Sequence, residues 1–335
     1  MRMSATSPSG ERLEIVTLEA PKETKTGFAD DVRAGLNAQP RSLPAKYHYD
    51  ELGSTLFDAI TTLPEYYLTR AETEVLRQWG WEMVRALGNP IEFLELGSGS
   101  AVKTRLLIEE ALRVQRTLRY MPIDISPEAL RASAGALVAA YPGIRVSAYA
   151  ADYFSLLRER ALRRENRVFA MIMGSNIGNY EPKVARELLS LLSRALRPND
   201  GLLLGADLKK DPRILELAYN DPTGVTAAFN LNLLGRINRE LGGDFDIRAF
   251  KHVARYDETR GSVDSHLVAK SKQIVSIRKL GQTFEFAEGD GIHTESSYKF
   301  TVEDLRAIAQ ETGFTLSRTW MDKAKRFAVN LLVRK

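Results

Sequence analysis

The stretch Ile91-Glu92-Phe93-Leu94-Glu95-Leu96-Gly97-Ser98-Gly99-Ser100 decides the fold. Its first six residues read as a buried strand, and Gly97 ends it. The two glycines let backbone approach a ligand that side chains would keep out. A bare Gly-x-Gly after a strand is also an ordinary tight turn, so the pattern around it has to decide. The dinucleotide fingerprint would need a third glycine where Val102 stands, which argues against a nicotinamide cofactor. Just downstream, Leu106, Leu107, Ala111 and Leu112 share one helical face.

The alternation continues. Residues 119–124 form a second strand, and Ser126-Pro127-Glu128 opens a helix with Ser as N-cap, Pro at the first helical position and Glu in the first turn. A third strand covers residues 145–150. The fourth, 168–173, is continuously apolar and therefore central in a parallel sheet. Val184, Leu188, Leu191, Leu192 and Ala195 make a helical stripe, and residues 201–208 form a fifth strand. Strands alternating with helices at this spacing give an α/β doubly wound sheet. From about residue 210 to 297 the alternation stops. Two helices come first, then strands of period-two polarity, as over residues 283–286. Thr301-Val302-Glu303-Asp304 opens a capped helix that Gly313 ends, and residues 314–320 and 327–333 form an antiparallel pair. Five parallel strands finished by a helix and a hairpin are the class I methyltransferase variant of the Rossmann-like fold. The expected organisation is a mobile N-terminal segment over 1–27 and a methyltransferase domain over 71–209 and 298–335. A second, lid-like α+β substrate domain is expected over 28–70 and 210–297.

Composition narrows the function. The chain has 335 residues, 44% of them hydrophobic and 27% charged, enough for a sizeable core. Lys+Arg number 47 against 43 Asp+Glu, a near balance that does not suggest a nucleic-acid partner. The run from Arg158 to Arg167 mixes acids with bases and reads as a solvated face. Without cysteine there is no disulfide, thiolate nucleophile or zinc-thiolate site. The four histidines, His48, His252, His266 and His293, form no metal-binding pair, so no metal is expected. No apolar run spans a bilayer and no signal peptide opens the chain, so the expectation is a cytoplasmic monomer with no membrane partner.

Four loops at one sheet edge carry the chemistry. Beside the Gly97 loop, Asp124 closes the second strand, where a carboxylate can accept from both hydroxyls of a ribose. Asp152-Tyr153 follows the third strand, where an acid can accept from an adenine amino group and an aromatic can cover the ring. Gly174-Ser175-Asn176-Ile177-Gly178-Asn179 follows the fourth, and it is poor packing material but good site material. Any one of these reads as an ordinary turn; four on one edge read as a ligand site.

With these residues in place, the chain from about Asp31 onward resembles the histidine-specific Nα-methyltransferases of ergothioneine biosynthesis, the EgtD family. Ser42-Leu43-Pro44, Tyr49-Asp50, Leu63-Pro64-Glu65-Tyr66-Tyr67, Gly224-Val225-Thr226-Ala227-Ala228-Phe229-Asn230 and Thr294-Glu295-Ser296-Ser297 carry the resemblance, together with the Gly97 and Gly174 loops. The resemblance implies S-adenosyl-L-methionine at Gly97, Lys103, Asp124, Asp152 and Tyr153. It implies free histidine as the other substrate, held by its carboxylate at Asn179 and Tyr219. Tyr49, Tyr66 and Gly174 would line the amino-group end, with Tyr49 the candidate catalytic residue. Glu295 and Ser297 would hydrogen-bond the imidazole. Ser265, followed by His266, stands where the family carries Met beside the substrate, and Leu68 replaces the Pro of Pro-Glu-Tyr-Tyr-Pro-Thr-Arg.

Methyl transfer from a sulfonium is an in-line displacement, so the protein mainly aligns donor and acceptor. The acceptor amine needs a lone pair, and with a pKa of about 8 an α-amine has a neutral fraction near neutral pH. No strong base is obligatory, although Tyr49 or a water could assist. Tyrosine rings can stabilise the quaternary product through their quadrupoles. Glu295 and Ser297, two apart on a strand, share a face and can address both imidazole nitrogens. Taken alone, Tyr49 and Tyr66 read as core, Glu295 and Ser297 as solvent-facing, and His266 and His293 as surface or packing residues. Competing functions are Nα-methylation of another aromatic amino acid such as tryptophan, a non-catalytic binding module, and RNA methylation. Glu295 argues against an indole, the complete loop set against a mere binding module, and the lack of a basic stripe against RNA.

Overall fold

The computed structural model describes residues 4–6, 12–17, 27–99, 101–159 and 162–335. Among them the strands run in chain order as β1 (Ser4–Thr6), β2 (Leu13–Thr17), β3 (Ile91–Leu96), β4 (Leu118–Asp124), β5 (Ile144–Ala150), β6 (Arg167–Ile172), β7 (Gly201–Asp207), β8 (Phe250–Asp257), β9 (Ser262–Ala269), β10 (Gln273–Ile277), β11 (Gln282–Phe286), β12 (Gly291–Tyr298), β13 (Phe314–Met321) and β14 (Phe327–Arg334). They fall into two compact units. The first lies within Met1–Thr24, Arg70–Leu208 and Phe300–Lys335, the second within Lys25–Thr69 and Lys209–Lys299.

The first unit is built on a nine-stranded sheet of order β1-β2-β5-β4-β3-β6-β7-β14-β13. Strands β3 to β7 pair in parallel, and β14 and β13 close that side antiparallel. This is the α/β class I methyltransferase arrangement that the alternation predicts. Every residue of β3 and β7 is buried, the carboxylates of Glu92, Glu95 and Asp207 included, as strands covered on both faces of a parallel sheet must be. From β3 the chain order runs outward both ways, to β4 and β5 on one side and β6 and β7 on the other. Such a switch point leaves a crevice at the carboxyl ends of the strands. Helix starts obey their sequence signals. Ser126 Oγ accepts from the Ala129 N–H at 3.2 Å. Thr301 and Asp304 cap each other at 3.0 and 2.9 Å.

Two expectations are corrected. Leu13–Thr17, expected within a mobile segment, pairs in parallel with β5 and buries Ile15 and Val16. Three β-branched residues in a row, Ile15, Val16 and Thr17, suit a strand, though the stretch is too short to stand out in a polar terminus. The other residues of that expected segment, 1–3, 7–11 and 18–26, lie outside the described ones. The run 158–167 is not simply a solvated face either. Arg164 donates at 2.8 Å to Asp200, a carboxylate only 2% exposed that also accepts from the Val168 and Arg197 N–H groups. Burying that carboxylate requires the charge partner. Arg160 and Ala161 of this run lie outside the described residues.

The second unit holds the three-stranded antiparallel sheet β12-β9-β8 and the hairpin β10-β11. Its core gathers Val32, Leu36, Leu233, Phe250, Phe286 and Ile292 from helices and strands alike. Leu43 N–H donates to the His293 carbonyl at 2.8 Å and His293 N–H to the Arg41 carbonyl at 2.9 Å, fastening the early segment to β12.

Glu95 generates a test of the first unit. Its carboxylate is 3% exposed and accepts from Thr104 Oγ1 at 2.8 Å and from the Tyr120 hydroxyl. Burial pushes the carboxyl up to about 7, against the downward pull of those hydrogen bonds and of Lys103. The unfolded chain releases this proton near about 4.3. Between the two values the folded state holds more protons, so stability is highest below that range and falls as pH rises toward 7. The slope from this one group is about 1.4 kcal/mol per pH unit. Urea titrations across that range should show it, and Glu95→Gln should flatten it. Identical slopes in both proteins would mean that the carboxyl ionises as it does in the unfolded chain.

Candidate functional site

In the first unit, the sequence-predicted cofactor residues gather at the carboxyl ends of β3, β4 and β5. Gly97 and Gly99 have φ of +72° and +48°, which favour glycine, and a side chain at Gly99 would meet nothing within 4 Å. Asp124 Oδ2 accepts from the Gly99 N–H and Oδ1 from the Ser126 N–H, both at 3.1 Å. The carboxylate is thus fixed beside an open glycine turn, as an acceptor for a ribose diol requires. Ser100 lies outside the described residues.

Asp152 caps the helix Tyr153–Arg158, accepting from the Ser155 N–H and Oγ at 2.9 Å each. Tyr153 hydrogen-bonds the hydroxyl of Tyr180, and both rings pack on Phe154 at 5.5 and 5.7 Å. Burial first, then Tyr180, Asp152 and Asp124, raise the Tyr153 phenol above its usual range. Lys103 and the Gly174 loop meet at a residue that sequence reasoning missed. Glu72, 0% exposed, pairs with Lys103 Nζ and accepts from the Gly174 N–H at 2.8 Å. A lone Glu on an amphipathic helix reads as surface, so no local signal marks it. Asn179 ends the turn Asn176–Asn179 and is exposed.

In the second unit, Tyr49, Tyr66, Tyr219, Glu295 and Ser297 come together. Tyr49 meets Phe57 and Phe229 edge-on, each at 5.5 Å; Phe57 lies 6.3 Å from Tyr66, and Tyr66 lies 6.2 Å from Tyr219. These edge-to-face contacts make a continuous aromatic wall. Phe57 and Phe229 belong to it without having been singled out, since a Phe on a helix face reads as core. Withdrawal of the hydroxyl end from water, then Glu295, then Tyr219 raise the Tyr49 phenol above its usual range, although 42% of the residue as a whole is exposed. Tyr49 keeps its proton through neutral pH and offers a hydroxyl, never a phenolate.

Local sequence explains where Tyr49 sits. It follows the turn Ala45–His48 and precedes the helix Glu51–Thr62, whose cap is Asp50, accepting from the Gly53 N–H at 2.8 Å. A Cβ at Gly53 would lie 1.7 Å from the His48 carbonyl, so only glycine lets turn and helix approach. Asn232 and Arg239 donate to the same Asp50 at 2.7 and 2.6 Å. A buried polar chain spans the unit behind this segment. His48 Nδ1 faces the Ala45 carbonyl at 3.0 Å and its Nε2 faces Asn230 Oδ1 at 3.1 Å. Asn230 Nδ2 meets His252 Nδ1 at 2.7 Å, and His252 Nε2 meets the Tyr219 carbonyl at 2.7 Å. The turn before Tyr49 and the backbone of Tyr219 are thereby held by one relay.

On β12 the two-residue period places Glu295 and Ser297 on one face. Ser265 of β9 lies directly across from Glu295, and Val263 across from Ser297. Opposed residues of an antiparallel pair share a face, so Ser265 belongs to the same wall as the two polar residues. Glu295 is half-buried and Ser297 buried. Ser297 Oγ and the Tyr219 hydroxyl are 2.8 Å apart, and Lys299 Nζ donates to both, at 2.8 and 2.9 Å. His266 and His293 pack edge-on at 5.2 Å, with His293 Nε2 at 2.9 Å from Ser296 Oγ.

Known proteins with this pattern agree. Residues 28–334 match the family described as histidine-specific methyltransferase, SAM-dependent. The histidine N-alpha-methyltransferase of Mycolicibacterium smegmatis is 42% identical over 96% of this chain and 99% of its own. That of Mycobacterium tuberculosis is 42% identical over 91% and 94%. Ergothioneine biosynthesis protein 1 of Schizosaccharomyces pombe is 29% identical over 82% of this chain and 36% of its own length. A glycine turn with a fixed carboxylate beside it, at the carboxyl edge of a sheet of this order, fits the methyl donor these proteins share; the chain belongs to the S-adenosylmethionine-dependent, histidine-specific methyltransferase family.

Proposed function

We propose that the chain transfers three methyl groups from S-adenosylmethionine to the α-nitrogen of free L-histidine, giving Nα,Nα,Nα-trimethylhistidine, the first step of ergothioneine biosynthesis. The observation that carries the choice of acceptor is the shared face of Glu295 and Ser297 on β12. An acceptor and a hydroxyl spaced two residues apart match the N–H and the lone pair of a neutral imidazole. An indole offers one N–H and no lone pair in its ring plane, and would leave one of the two unpaired.

The sulfonium supplies an electrophilic methyl group when bound. Gly97, Lys103, Asp124, Asp152 and Tyr153 are the residues proposed to hold that donor. Tyr219 donates to the substrate carboxylate, with Asn179 as its proposed companion. Tyr49 and Tyr66, with Gly174, line the amino-group end. Since desolvation of its hydroxyl and the Glu295 charge keep the Tyr49 phenol protonated, its oxygen orients the amine lone pair by accepting a hydrogen bond from the remaining N–H. The proton that the methylated amine must release before the next transfer leaves to water. The aromatic wall of Tyr49, Phe57, Tyr66 and Tyr219 suits the growing cation, because ring faces attract a quaternary ammonium without needing an N–H. The same reading gives a cytoplasmic monomer with no nucleic-acid partner; among the described residues no helix is long and apolar enough to cross a membrane.

Asp124→Ala should weaken S-adenosylhomocysteine binding by about 1–3 kcal/mol, the cost of stranding polar partners. Calorimetry on the folded variant measures it, and unchanged affinity would remove Asp124 from the donor site. The acceptor is tested at Glu295. Removing its carboxylate should lower kcat/KM for histidine by about 1.5–3 kcal/mol, the scale of hydrogen bonds to a charged group. It should also narrow the preference for histidine over tryptophan and phenylalanine, because space without a charge tolerates other rings. Ser265 makes the wall smaller than a Met would, so the relaxation should be measurable. Glu295→Ala with full histidine activity and an unaltered ranking would mean that the carboxylate does not read the ring.

A further inference from the structure

Within the second unit, His48, Asn230 and His252 form a row whose two ends are carbonyl oxygens, those of Ala45 and Tyr219. His48 is 1% exposed and Asn230 2%. The ends of the row hold the backbone on which two proposed acceptor-binding residues stand. Ala45 opens the turn that leads into Tyr49, and Tyr219 closes the helix Pro212–Tyr219.

A carbonyl accepts and never donates, so both ends of the row must receive an N–H. A neutral imidazole brings one N–H and one lone pair, and an amide side chain offers a donor at one end and an acceptor at the other. Two neutral histidines and Asn230 therefore supply three donors along the row, while its four contacts, at 2.7–3.1 Å, need one each. Reversing the Asn230 amide does not help. With its oxygen toward His48, as in the structure, His48 faces two acceptors; with the amide turned over, His252 does. All contacts are satisfied together only when one ring carries a second proton. The Asn230 orientation puts it on His48. That ring lies nearly parallel to Phe229, with 19° between the planes and 4.9 Å between the centroids, and the quadrupole of Phe229 attracts a cationic ring. Burial works against charge on His252, which favours the same placement.

We infer that His48, Asn230 and His252 are positioning residues that hold one proton more than two neutral histidines carry, and that this buried proton sets the backbone of Tyr49 and Tyr219 for the acceptor. The proton count is independent of the acceptor; its consequence for binding rests on the histidine reading above. A buried charge needs a counter-charge. Asp221, 7% exposed, supplies one that favours the charged form of His252. Against burial, hydrogen bonds from Thr223 and from the Thr226 and Val225 N–H groups hold the Asp221 carboxyl at about 2, so it is ionised throughout the neutral range. His266 acts on His252 in the opposite sense from β9. Around the turn the other charges are already matched: Lys46 pairs with Asp31, Arg239 with Asp50, and Arg236 with Glu240. When the extra proton leaves, a ring lone pair faces an oxygen at one contact, and that contact opens. The turn before Tyr49 or the backbone of Tyr219 then loses its bond to the row.

The experiment records ring-nitrogen NMR spectra of the full chain carrying isotope-labelled histidine at pH 7.5, where an ordinary imidazole is about nine-tenths neutral. Single substitutions of the four histidines assign the rings. The parent is expected to show one ring of the His48 and His252 pair with both nitrogens protonated. His48→Phe leaves donors enough for the contacts that remain, so His252 is expected to be neutral there, with its proton on Nε2. Asn230→Asp turns an acceptor toward both rings, and both are expected to be doubly protonated. A role in packing alone would produce neither change. Two neutral rings in the parent overturn the proposal, as does a doubly protonated His252 in His48→Phe or a folded Asn230→Asp with only one such ring. Where Asn230→Asp does not fold, the first two spectra decide. The consequence for binding is read by calorimetry of L-histidine on parent and His48→Phe, each saturated with S-adenosylhomocysteine, at pH 7.5 and 9. Titration of the ligand cancels in the ratio of the two affinities. The parent is expected to bind roughly fivefold more tightly at pH 7.5, the scale of one buried hydrogen bond, and the ratio to fall toward one at pH 9. A ratio that is the same at both pH values overturns the positioning of Tyr49 and Tyr219 by the proton. Histidine that binds neither protein overturns the acceptor reading instead, and the spectra still decide the proton count.

Discussion

A carboxylate that is fully withdrawn from water has to be paired, and Glu72 meets that requirement by tying two loops to one helix. Its partners are the Lys103 ammonium, 31 residues on, and the Gly174 N–H, 102 residues on. Leaving such a charge without partners costs several kcal/mol, so the loops cannot drift independently of the helix that carries Glu72. Close packing adds to this: a Cβ at Gly205 would lie 2.4 Å from the same carboxylate, so the neighbouring strand β7 needs glycine there. One ion pair and one hydrogen bond thus fix Lys103 and the start of the Gly174 loop at the carboxyl edge of the sheet.

The second unit solves a different problem. It must present polar groups of defined direction from a wall that is largely aromatic. Direction comes from what stands behind each group. Asp50 and Gly53 seat the segment carrying Tyr49. The relay through His48, Asn230 and His252 seats the Tyr219 backbone. Burial lowers the His252 pKa, with the Tyr219 carbonyl and Asp221 acting the other way. A hydroxyl is a flexible donor or acceptor, and it becomes selective only when something fixes its acceptor side. In this unit the buried Lys299 ammonium donates to the hydroxyls of both Tyr219 and Ser297.

Conversion of an amine to a quaternary cation also constrains the wall. As methyl groups replace hydrogens, hydrogen bonding at nitrogen fades and dispersion and ring quadrupoles take over. On the proposed reading, a wall of Tyr and Phe suits both ends of that progression, with hydroxyls for the N–H stages and faces for the cation.

Much of this was legible in the sequence for a physical reason: local rules are written in local residues. Periodicity marked β3 to β7, Ser126 and Thr301 marked helix starts, and the Gly97, Asp124, Asp152 and Gly174 loops marked one sheet edge because connections in a parallel sheet leave there. The two-residue spacing of Glu295 and Ser297 already placed them on one face. Tertiary structure alone decided the rest. Glu72, Lys299 and the His48–Asn230–His252 relay look like ordinary surface or helix residues in sequence, because what defines each is a partner many positions away. Leu13–Thr17 was too short and too polar in its surroundings to announce itself, and became a strand only because β5 offered it an edge. Periodicity tells which way a side chain points along its own element; only the fold says what it then meets.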